Sequence, residues 1–193
     1  LDLANRAPSG FNLQPWHFVL VRNAALKQVL CPIALDQIQV LNAPALVVFA
    51  ANPRAWKEHY EQVLAAGLGN RSLTAERAEL NRKRIKQWFD IGPLGLVGFV
   101  KRIVVPLMRL RRPLPEPITS TAEAREYVRA HTMLAASTFM IAAKSVGVVT
   151  CPMEGFDEHR LKKLLEIPDY MTVPLIVTAG YPLDFEQTPR TAR

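Results

Sequence analysis

A short segment near the start of the chain groups side chains that could hold a polar, planar ligand. Residues 7–16 read Ala-Pro-Ser-Gly-Phe-Asn-Leu-Gln-Pro-Trp and lead directly into an apolar alternation. Ser9 supplies a hydroxyl, Gly10 admits unusual backbone angles, and Asn12 and Gln14 each carry an amide donor and acceptor. The same residue types also collect in ordinary turns before strands. The segment therefore predicts either a binding loop or a plain turn, and a second site is needed to decide.

A second candidate lies late in the chain, where residues 147–157 read Gly-Val-Val-Thr-Cys-Pro-Met-Glu-Gly-Phe-Asp. The pattern predicts a tight turn of small residues between a long helix and a short one. Pro-x-Glu-Gly-Phe-Asp is an uncommon way to begin a helix, so this turn is more specific than the first.

Metal and disulfide chemistry have little support in the sequence. The chain has two cysteines, Cys31 and Cys151, far apart and without the spacing of a metal site or a redox dithiol. The four histidines lie in separate segments with no H-x-x-x-H pattern. We therefore predict no metal site, and two unpaired cysteines fit a reducing cytoplasm.

Composition indicates one globular domain with a substantial core. The chain has 193 residues, 49% of them hydrophobic and 21% charged, which excludes a disordered protein. Its formal charge of +7 favours anionic partners such as phosphate groups, acidic lipid or nucleic acid. The positive charges concentrate in residues 71–84 and 101–112 without the aromatic interleaving of nucleic-acid modules, so we predict no nucleic-acid partner.

The first half of the chain predicts a short helix, a buried strand and two further helices. A short helix over residues 23–30 should stop at Pro32, and the apolar run 45–50 predicts a central strand. Pro53 suits the first turn of a helix through Leu64, and a long charged helix should cover residues 74–89.

Residues 92–110 form the most hydrophobic stretch, but Lys101 and Arg102 interrupt it and two prolines are expected to break it. A membrane span needs about 20 mostly apolar residues, so we do not predict one. Two interpretations remain open. The segment is either an interfacial element whose cations meet anionic headgroups, or a lid or partner-contact element that covers a pocket. We favour a lid or packing role because most apolar stretches in such domains are buried. The proline-rich residues 113–117 then form a stiff connector.

The second half predicts a long helix, a short helix and a last strand. Ser120 to Glu123 has the form of a capping box and opens a run to Val146 without Pro or Gly. The centre of this run is apolar or small on nearly all faces, as in a core helix or a subunit interface. Asp157 can cap a short helix, and residues 173–181 predict a strand whose Pro174 indicates a strand start or edge.

Taken in order, residues 8–16, 152–157 and 175–181 resemble the nitroreductase family of FMN-dependent oxidoreductases. The resemblance implies an α+β fold, with a mainly antiparallel sheet flanked by helices and a single FMN-binding domain over residues 1–193. It also implies a homodimer with FMN in two equivalent interface sites, and the long helix around residues 130–143 is its natural dimer element. Residues 71–117 match the family poorly, and we treat residues 90–117 as a variable apolar and basic insert.

The resemblance assigns the first loop to the FMN held mainly by the other subunit, with Gln14 and Trp16 as supports. The expected contacts to its isoalloxazine ring or ribityl chain are Pro8, Ser9, Gly10 and Asn12. The second motif is expected to run beside the flavin ring through Pro152, Met153, Glu154 and Gly155. A backbone N–H near Glu154 or Gly155 would approach N5, and no catalytic side chain is required.

Five further FMN contacts follow from the resemblance. Asp36 and Gln39 align with positions used for the pyrimidine edge and ribityl hydroxyls, and His131 with a residue that reaches FMN across the interface. Arg190 and then Arg193 are the candidates for the phosphate, because a guanidinium pairs with phosphate oxygens through two hydrogen bonds. The family's main phosphate anchors would precede Leu1, so we expect an incomplete N-terminus in which residues 1–6 are the end of a helix.

The function implied is a ping-pong oxidoreductase in which NADH or NADPH passes hydride to flavin N5 and a nitroaromatic, quinone or similar small acceptor takes it. Specialised flavin chemistry on the same fold, deiodinase-like or flavin-cleaving, stays open. So does a membrane-surface protein that associates through residues 92–112. The expected location is the cytoplasm, with or without peripheral membrane contact.

Overall fold

The centre of the molecule is a four-stranded antiparallel sheet. The computed structural model describes residues 1–182, and in them the strands are β1 (Trp16–Val21), β2 (Ala45–Ala51), β3 (Val149–Met153) and β4 (Thr172–Gly180). Their order is β1-β2-β4-β3, so β2 and β4 occupy the interior and β1 and β3 the two edges. Interior strands are covered on both sides, which is why β2 and β4 are almost continuously apolar.

Helices cover both faces of the sheet, and several begin at a side-chain cap. They are α1 (Asp2–Asn5), α2 (Ala24–Ile33), α3 (Gln39–Asn42), α4 (Ala55–Glu58), α5 (Tyr60–Gly69), α6 (Ala75–Phe89), α7 (Leu96–Arg109), α8 (Thr121–Ser145) and α9 (Glu158–Leu164). The cap side chains that accept the backbone N–H three residues later are Asn23, Thr74, Ser120 and Asp157. These caps satisfy backbone donors that a helix start leaves unpaired.

The capping box of α8 is shifted by one residue. Ser120 Oγ accepts from Glu123 N at 3.2 Å, as predicted, but the Glu123 carboxylate accepts from Thr119 N at 2.7 Å instead of from Ser120. The result is the same, because both exposed backbone donors are satisfied before the first turn.

Two packed layers enclose the sheet. On one face Ala136 of α8 lies against Phe49 and Leu175, and on the other Leu30 of α2 and Leu161 of α9 join the cluster around the central strands. A smaller cluster includes Leu13, Tyr60, Ile85 and Phe89 and joins the first loop to α5 and α6. The predicted α+β class with a mainly antiparallel sheet is confirmed.

Two prolines that were expected to end or break a helix do not do so. The prediction that α2 stops at Pro32 is wrong, since the helix runs through Pro32 to Ile33, and α7 continues through Pro106. In each helix three residues or fewer follow the proline, so a single backbone hydrogen bond is lost close to a helix end. The helix expected from Pro53 begins at Ala55 and breaks at His59 into α4 and α5.

Two strand predictions also need correction. Pro174 was expected at a strand start or edge, but it lies within the interior strand β4. The pairing with β2 is irregular opposite it, between Phe49 and Ala51, so a β-bulge accommodates the proline. Residues 149–153, expected within a tight turn, form the edge strand β3. Pro152 is tolerated there because an edge strand has a partner on one side alone.

The apolar stretch of residues 92–110 forms α7 and is not buried within the protomer. Gly98 is the one buried residue of α7, while Phe99 is 64% exposed and Leu107 62%. No single helix in residues 1–182 is long and apolar enough to span a bilayer; α6 together with residues 93–109 reaches that length, but with a 68° bend. The outer side of this segment is therefore not covered within the protomer, while its inner side borders a groove, so the choice between a lid over a pocket and an interfacial element stays open.

Candidate functional site

The first loop is a strained 3₁₀ turn over Gly10–Asn12. The positive φ angles belong to Phe11 (54°), Asn12 (54°) and Gln14 (44°), so the expectation that Gly10 supplies the unusual backbone angle is wrong. Gly10 is required for a steric reason, because a Cβ there would overlap the hydroxyl of Tyr127. Three non-glycine residues in the left-handed region store strain of the kind that accumulates at ligand-binding segments.

Hydrogen bonds to α1 hold this loop. Ser9 Oγ accepts from Gln14 N at 2.9 Å, Gln14 Nε2 donates to Asn5 O at 2.8 Å, and Trp16 Nε1 donates to Asn5 Oδ1 at 2.9 Å. Gln14 and Trp16 are thus positioned as supports of the loop. The Ser9 oxygen is engaged inside the loop, while the Asn12 side chain is exposed.

α8 brings His131 to the same loop. His131 Nδ1 lies 2.8 Å from Tyr127 O, the two rings are 4.3 Å apart, and both side chains border Gly10. Burial raises the pKa of the Tyr127 hydroxyl, so it stays protonated at neutral pH. Tyr127 was missed in the sequence, although its place one helical turn before His131 is a signal for a shared face. Pro8, Ser9, Gly10, Asn12 and His131 therefore form one group.

The second group assembles around the loop after β3. Gln37 Nε2 donates to Gly155 O at 2.7 Å, and Asp157 N donates to Ile33 O at 2.9 Å. These two bonds join the loop to the turn between α2 and α3, more than a hundred residues earlier in the chain. Gln37 was also missed, and its one sequence signal is its position between Asp36 and Gln39.

That turn presents the two earlier candidates at the surface. Asp36 has φ 55°, follows Leu35 at φ 56°, and is exposed, while Gln39 is the exposed first residue of α3. The left-handed backbone is one that Asp tolerates better than most residues. Both residues lie in the same turn as Gln37, whose side chain reaches the Gly155 carbonyl.

Strand alternation divides the roles in the second motif. Pro152 is exposed, whereas Met153 is 4% exposed and packs in the core beside Ile176. A ligand beside this strand can therefore meet the backbone of Met153 but not its side chain. The expected contact of Met153 with a ligand is therefore limited to its backbone.

The chemistry of the second loop fits the edge of a flavin ring. The backbone N–H groups of Glu154 and Gly155 donate to no acceptor within residues 1–182, and both residues are exposed. The Cβ position of Gly155 lies 3.4 Å from Gln37 Nε2, in ordinary contact with the side chain that holds this loop. Two consecutive free donors suit the acceptor atoms of a planar heterocycle.

The two groups lie at opposite edges of the sheet. The first precedes β1 and the second follows β3, and three strand spacings of about 4.8 Å, roughly 14 Å in all, separate these strands. No hydrogen bond joins the groups in the described part of the chain. One protomer therefore does not bring the predicted contacts into a single cluster.

Two cavities border the first loop. One, of about 660 Å³, is lined by Asn12, Gln14 and Tyr60. The other is a groove of about 1020 Å³ between α6, α7 and the proline-rich connector. Phe11 lines both, packing edge-on against Trp88 with ring centres 5.5 Å apart. The first loop thus connects the sheet region to the variable segment.

A histidine pair joins the edge strand β1 to the break between α4 and α5, where His59 lines the smaller cavity. His17 and His59 have ring centres 5.7 Å apart. Partial desolvation lowers the pKa of His17, the neighbouring His59 lowers it further, and Glu58 opposes both. His17 is therefore predominantly neutral at pH 7.

The remaining predictions concern phosphate and metal. Arg190 and Arg193 lie outside the described residues. Within residues 1–182, no group of three or more His, Cys, Asp or Glu side chains could hold a metal ion, and Cys31 and Cys151 are both free thiols.

Comparison with known proteins gives a consistent result. The nitroreductase family model matches residues 1–181. An NADH dehydrogenase of Thermus thermophilus is 29% identical over 184 residues, which cover 95% of this chain and 74% of that protein. YodC of Bacillus subtilis, which carries the name of an NAD(P)H nitroreductase, is 29% identical over 93% of this chain and 74% of its own. An iodotyrosine deiodinase of Thermotoga neapolitana is 25% identical over 95% and 75%.

Solved structures share the fold. A nitroreductase-like protein of Streptococcus mutans superimposes with a TM-score of 0.73 at 22% identity, covering 100% of this chain and 79% of that one. A nitroreductase-like protein of Exiguobacterium sibiricum, solved in complex with FMN, gives a TM-score of 0.67 at 18% identity, covering 99% and 79%.

Proposed function

This chain belongs to the nitroreductase family and is an oxidoreductase, and we propose that it uses FMN to carry hydride from NADH or NADPH to a small organic acceptor. The acceptor class is a nitroaromatic, a quinone or a compound of similar electron demand. The observation that carries the proposal is the pair of backbone donors at Glu154 and Gly155 that find no acceptor within residues 1–182, presented in the motif that the family resemblance assigns to the flavin. When bound, FMN would supply the redox chemistry of a ping-pong cycle, with hydride carried at its N5.

The residues of this chain bind and orient the cofactor. The N–H groups of Glu154 and Gly155 stabilise negative charge at the ring edge, and Gln37 fixes the loop through the Gly155 carbonyl. Asp36 and Gln39 border the same loop and supply polar contacts to the pyrimidine edge and the ribityl chain. Arg190 and Arg193 are the candidates for the phosphate.

A homodimer completes the site in this proposal. The two groups of polar residues lie on opposite edges of one sheet, so a second copy is needed to bring a first loop to a second loop. α8 offers the contact surface, since Met133, Leu134 and Ile141 are 38%, 46% and 71% exposed on a helix whose centre, residues 133–143, carries no charge. An uncharged apolar helix face is typical of homodimer interfaces.

The deciding experiment is the absorption spectrum of the purified protein, followed by anaerobic addition of NADH or NADPH. We expect flavin absorbance with one FMN for each chain, and its bleaching by at least one of the two nicotinamides. A protein without flavin absorbance that also fails to bind added FMN would contradict the proposal.

The role of the second loop can be tested separately with Gln37→Leu. This substitution removes the hydrogen bond to Gly155 O together with the local one to Ala34 O. Loss of the bond to the loop, about 0.5–1.5 kcal/mol, corresponds to roughly a two- to tenfold weaker FMN affinity. Gln28→Leu is the matched control, because Gln28 is exposed on α2 and makes no side-chain hydrogen bond among the described residues. Equal FMN affinity in the two variants would separate Gln37 from the cofactor.

A narrower chemistry is the second candidate. The groove beside Phe11 is bordered by the variable segment, and one relative at 25% identity is named iodotyrosine deiodinase. A specialised enzyme of this type should turn over one aromatic substrate far better than others. Comparable efficiency with several nitroaromatics and quinones would argue against it.

A further inference from the structure

α7 is an amphipathic helix whose apolar side faces away from the protein. At 100° for each residue, Gly98, Lys101 and Val105 share the inner side, where Gly98 is buried. The opposite side consists entirely of apolar residues. They are Leu96 (61% exposed), Phe99 (64%), Val100 (55%), Ile103 (52%), Leu107 (62%) and Leu110 (84%).

Polar contacts fix the inner side against the protein. Lys101 Nζ donates to the carbonyl oxygens of Trp88 at 3.0 Å, Asp90 at 2.7 Å and Ile118 at 3.3 Å. A Cβ at Gly98 would overlap the Thr119 carbonyl, so the helix backbone lies directly on the backbone that precedes α8. The outward direction of the apolar side is therefore set by contacts that a rotation of the helix would break.

The flanks of α7 are anchored in the same way. Arg102 Nε donates to Thr119 Oγ1 at 2.9 Å, and Arg109 pairs with Glu116 at 2.6 Å. Residues 91–115 contain five cationic residues and no acidic one. Arg111 and Arg112 follow the exposed Leu110 and are themselves exposed. An apolar strip bordered by positive charge is the pattern of a helix that lies in the surface of an anionic membrane.

We propose that the outer side of α7 binds the surface of an anionic lipid bilayer. Leu96, Phe99, Ile103 and Leu107 enter the boundary between headgroups and acyl chains, and Arg111 and Arg112 remain among the headgroups. This inference goes beyond the proposed oxidoreductase activity and does not depend on it. A contiguous apolar surface of this kind marks an interaction site, because solvent exposure of so many large apolar side chains is unfavourable.

Charge favours a bilayer over a second copy of the chain. A twofold contact through α7 would bring the same acid-free, cationic segment of two protomers together, and like charges at an interface are unfavourable. The centre of α8 is apolar and uncharged, and so is better suited to pairing. Anionic headgroups instead complement the exposed Arg111 and Arg112, whereas the other three cations of this segment are held by contacts within the chain.

Vesicle flotation tests the proposal with the full-length protein. We expect the wild type to float with vesicles of phosphatidylglycerol and phosphatidylcholine, and less of it with phosphatidylcholine alone. Phe99→Ser together with Leu107→Ser should weaken binding by roughly tenfold or more, because each side chain loses most of its transfer free energy. Arg111→Gln and Arg112→Gln should each weaken binding to the anionic vesicles by about fivefold.

The matched control is Leu20→Ser with Val29→Ser, which removes two exposed apolar side chains outside α7. It should float like the wild type. Flavin absorbance is recorded for each variant, so a loss of the cofactor is distinguished from a loss of membrane binding. Wild type that fails to float with anionic vesicles overturns the proposal. If Phe99→Ser with Leu107→Ser then lowers the sedimentation mass, a second copy covers α7 instead.

Discussion

β2 and α7 are both rich in large apolar side chains, yet the fold treats them in opposite ways. In β2, Leu46 to Ala51 are all buried; in α7, Gly98 alone is. The difference lies in the neighbours. β2 has a strand on each side and a helical layer over each face, whereas α7 is attached through polar groups on one side. Hydrophobicity indicates that a side chain needs cover, and the topology decides whether the same chain provides it.

The largest expected effect comes from substituting one phenylalanine in each element. Phe49 is fully buried and Phe99 is 64% exposed. Phe49→Ala should lower the free energy of unfolding by about 3–5 kcal/mol. Phe99→Ala should change it by about 0.5 kcal/mol at most. Urea unfolding of both variants measures the contrast, and similar losses would mean that α7 is covered in solution without lipid.

A smaller effect tests how α7 is attached. Gly98→Ala places a Cβ against the Thr119 backbone, which cannot rotate away as a side chain can, so we expect a loss of about 1–3 kcal/mol in the free energy of unfolding. Gly69→Ala is the control, because nothing lies within 4 Å of its Cβ position. If the two variants are equally stable, α7 does not pack on the Thr119 backbone as described.

The smallest expected effect is the pH dependence of stability that His17 contributes at the sheet edge, a contribution that α7 does not share. The folded state lowers the pKa of His17, so below about pH 6.5 the unfolded chain binds a proton that the folded chain resists. Stability from this group is complete above the unfolded pKa and falls as pH decreases toward the folded pKa. His17→Gln should make unfolding less dependent on pH between neutral and mildly acidic solution. An unchanged pH dependence would remove His17 as its source.

Much of the fold follows from local signals in the sequence. The start of α6 at Thr74, of α8 at Ser120 and of α9 at Asp157 could be read directly, because each cap bonds a backbone group three residues away. β2 was equally clear from its apolar run. β3 was missed because it is five residues long, contains Pro152, and exists through its pairing with β4.

The candidate site likewise contains residues that local sequence patterns predict and residues that they do not. The loops at residues 8–16 and 152–155 were visible as motifs, since their residue types are local. Gln37 and Tyr127 were not, because their contacts to Gly155 and to the first loop arise from tertiary structure. The direction of the apolar side of α7 was likewise undetermined, since helical periodicity gives the faces of a helix but not which of them meets the protein.

The placement of the two loops on opposite sheet edges has a genetic consequence. In the proposed homodimer, each site combines the first loop of one chain with the second loop of the other. A chain damaged in one loop and a chain damaged in the other therefore make a mixed dimer with one intact site and one site that carries both defects. Two inactive alleles of the same gene would then complement each other when expressed together, whereas alleles damaged in the same loop would not.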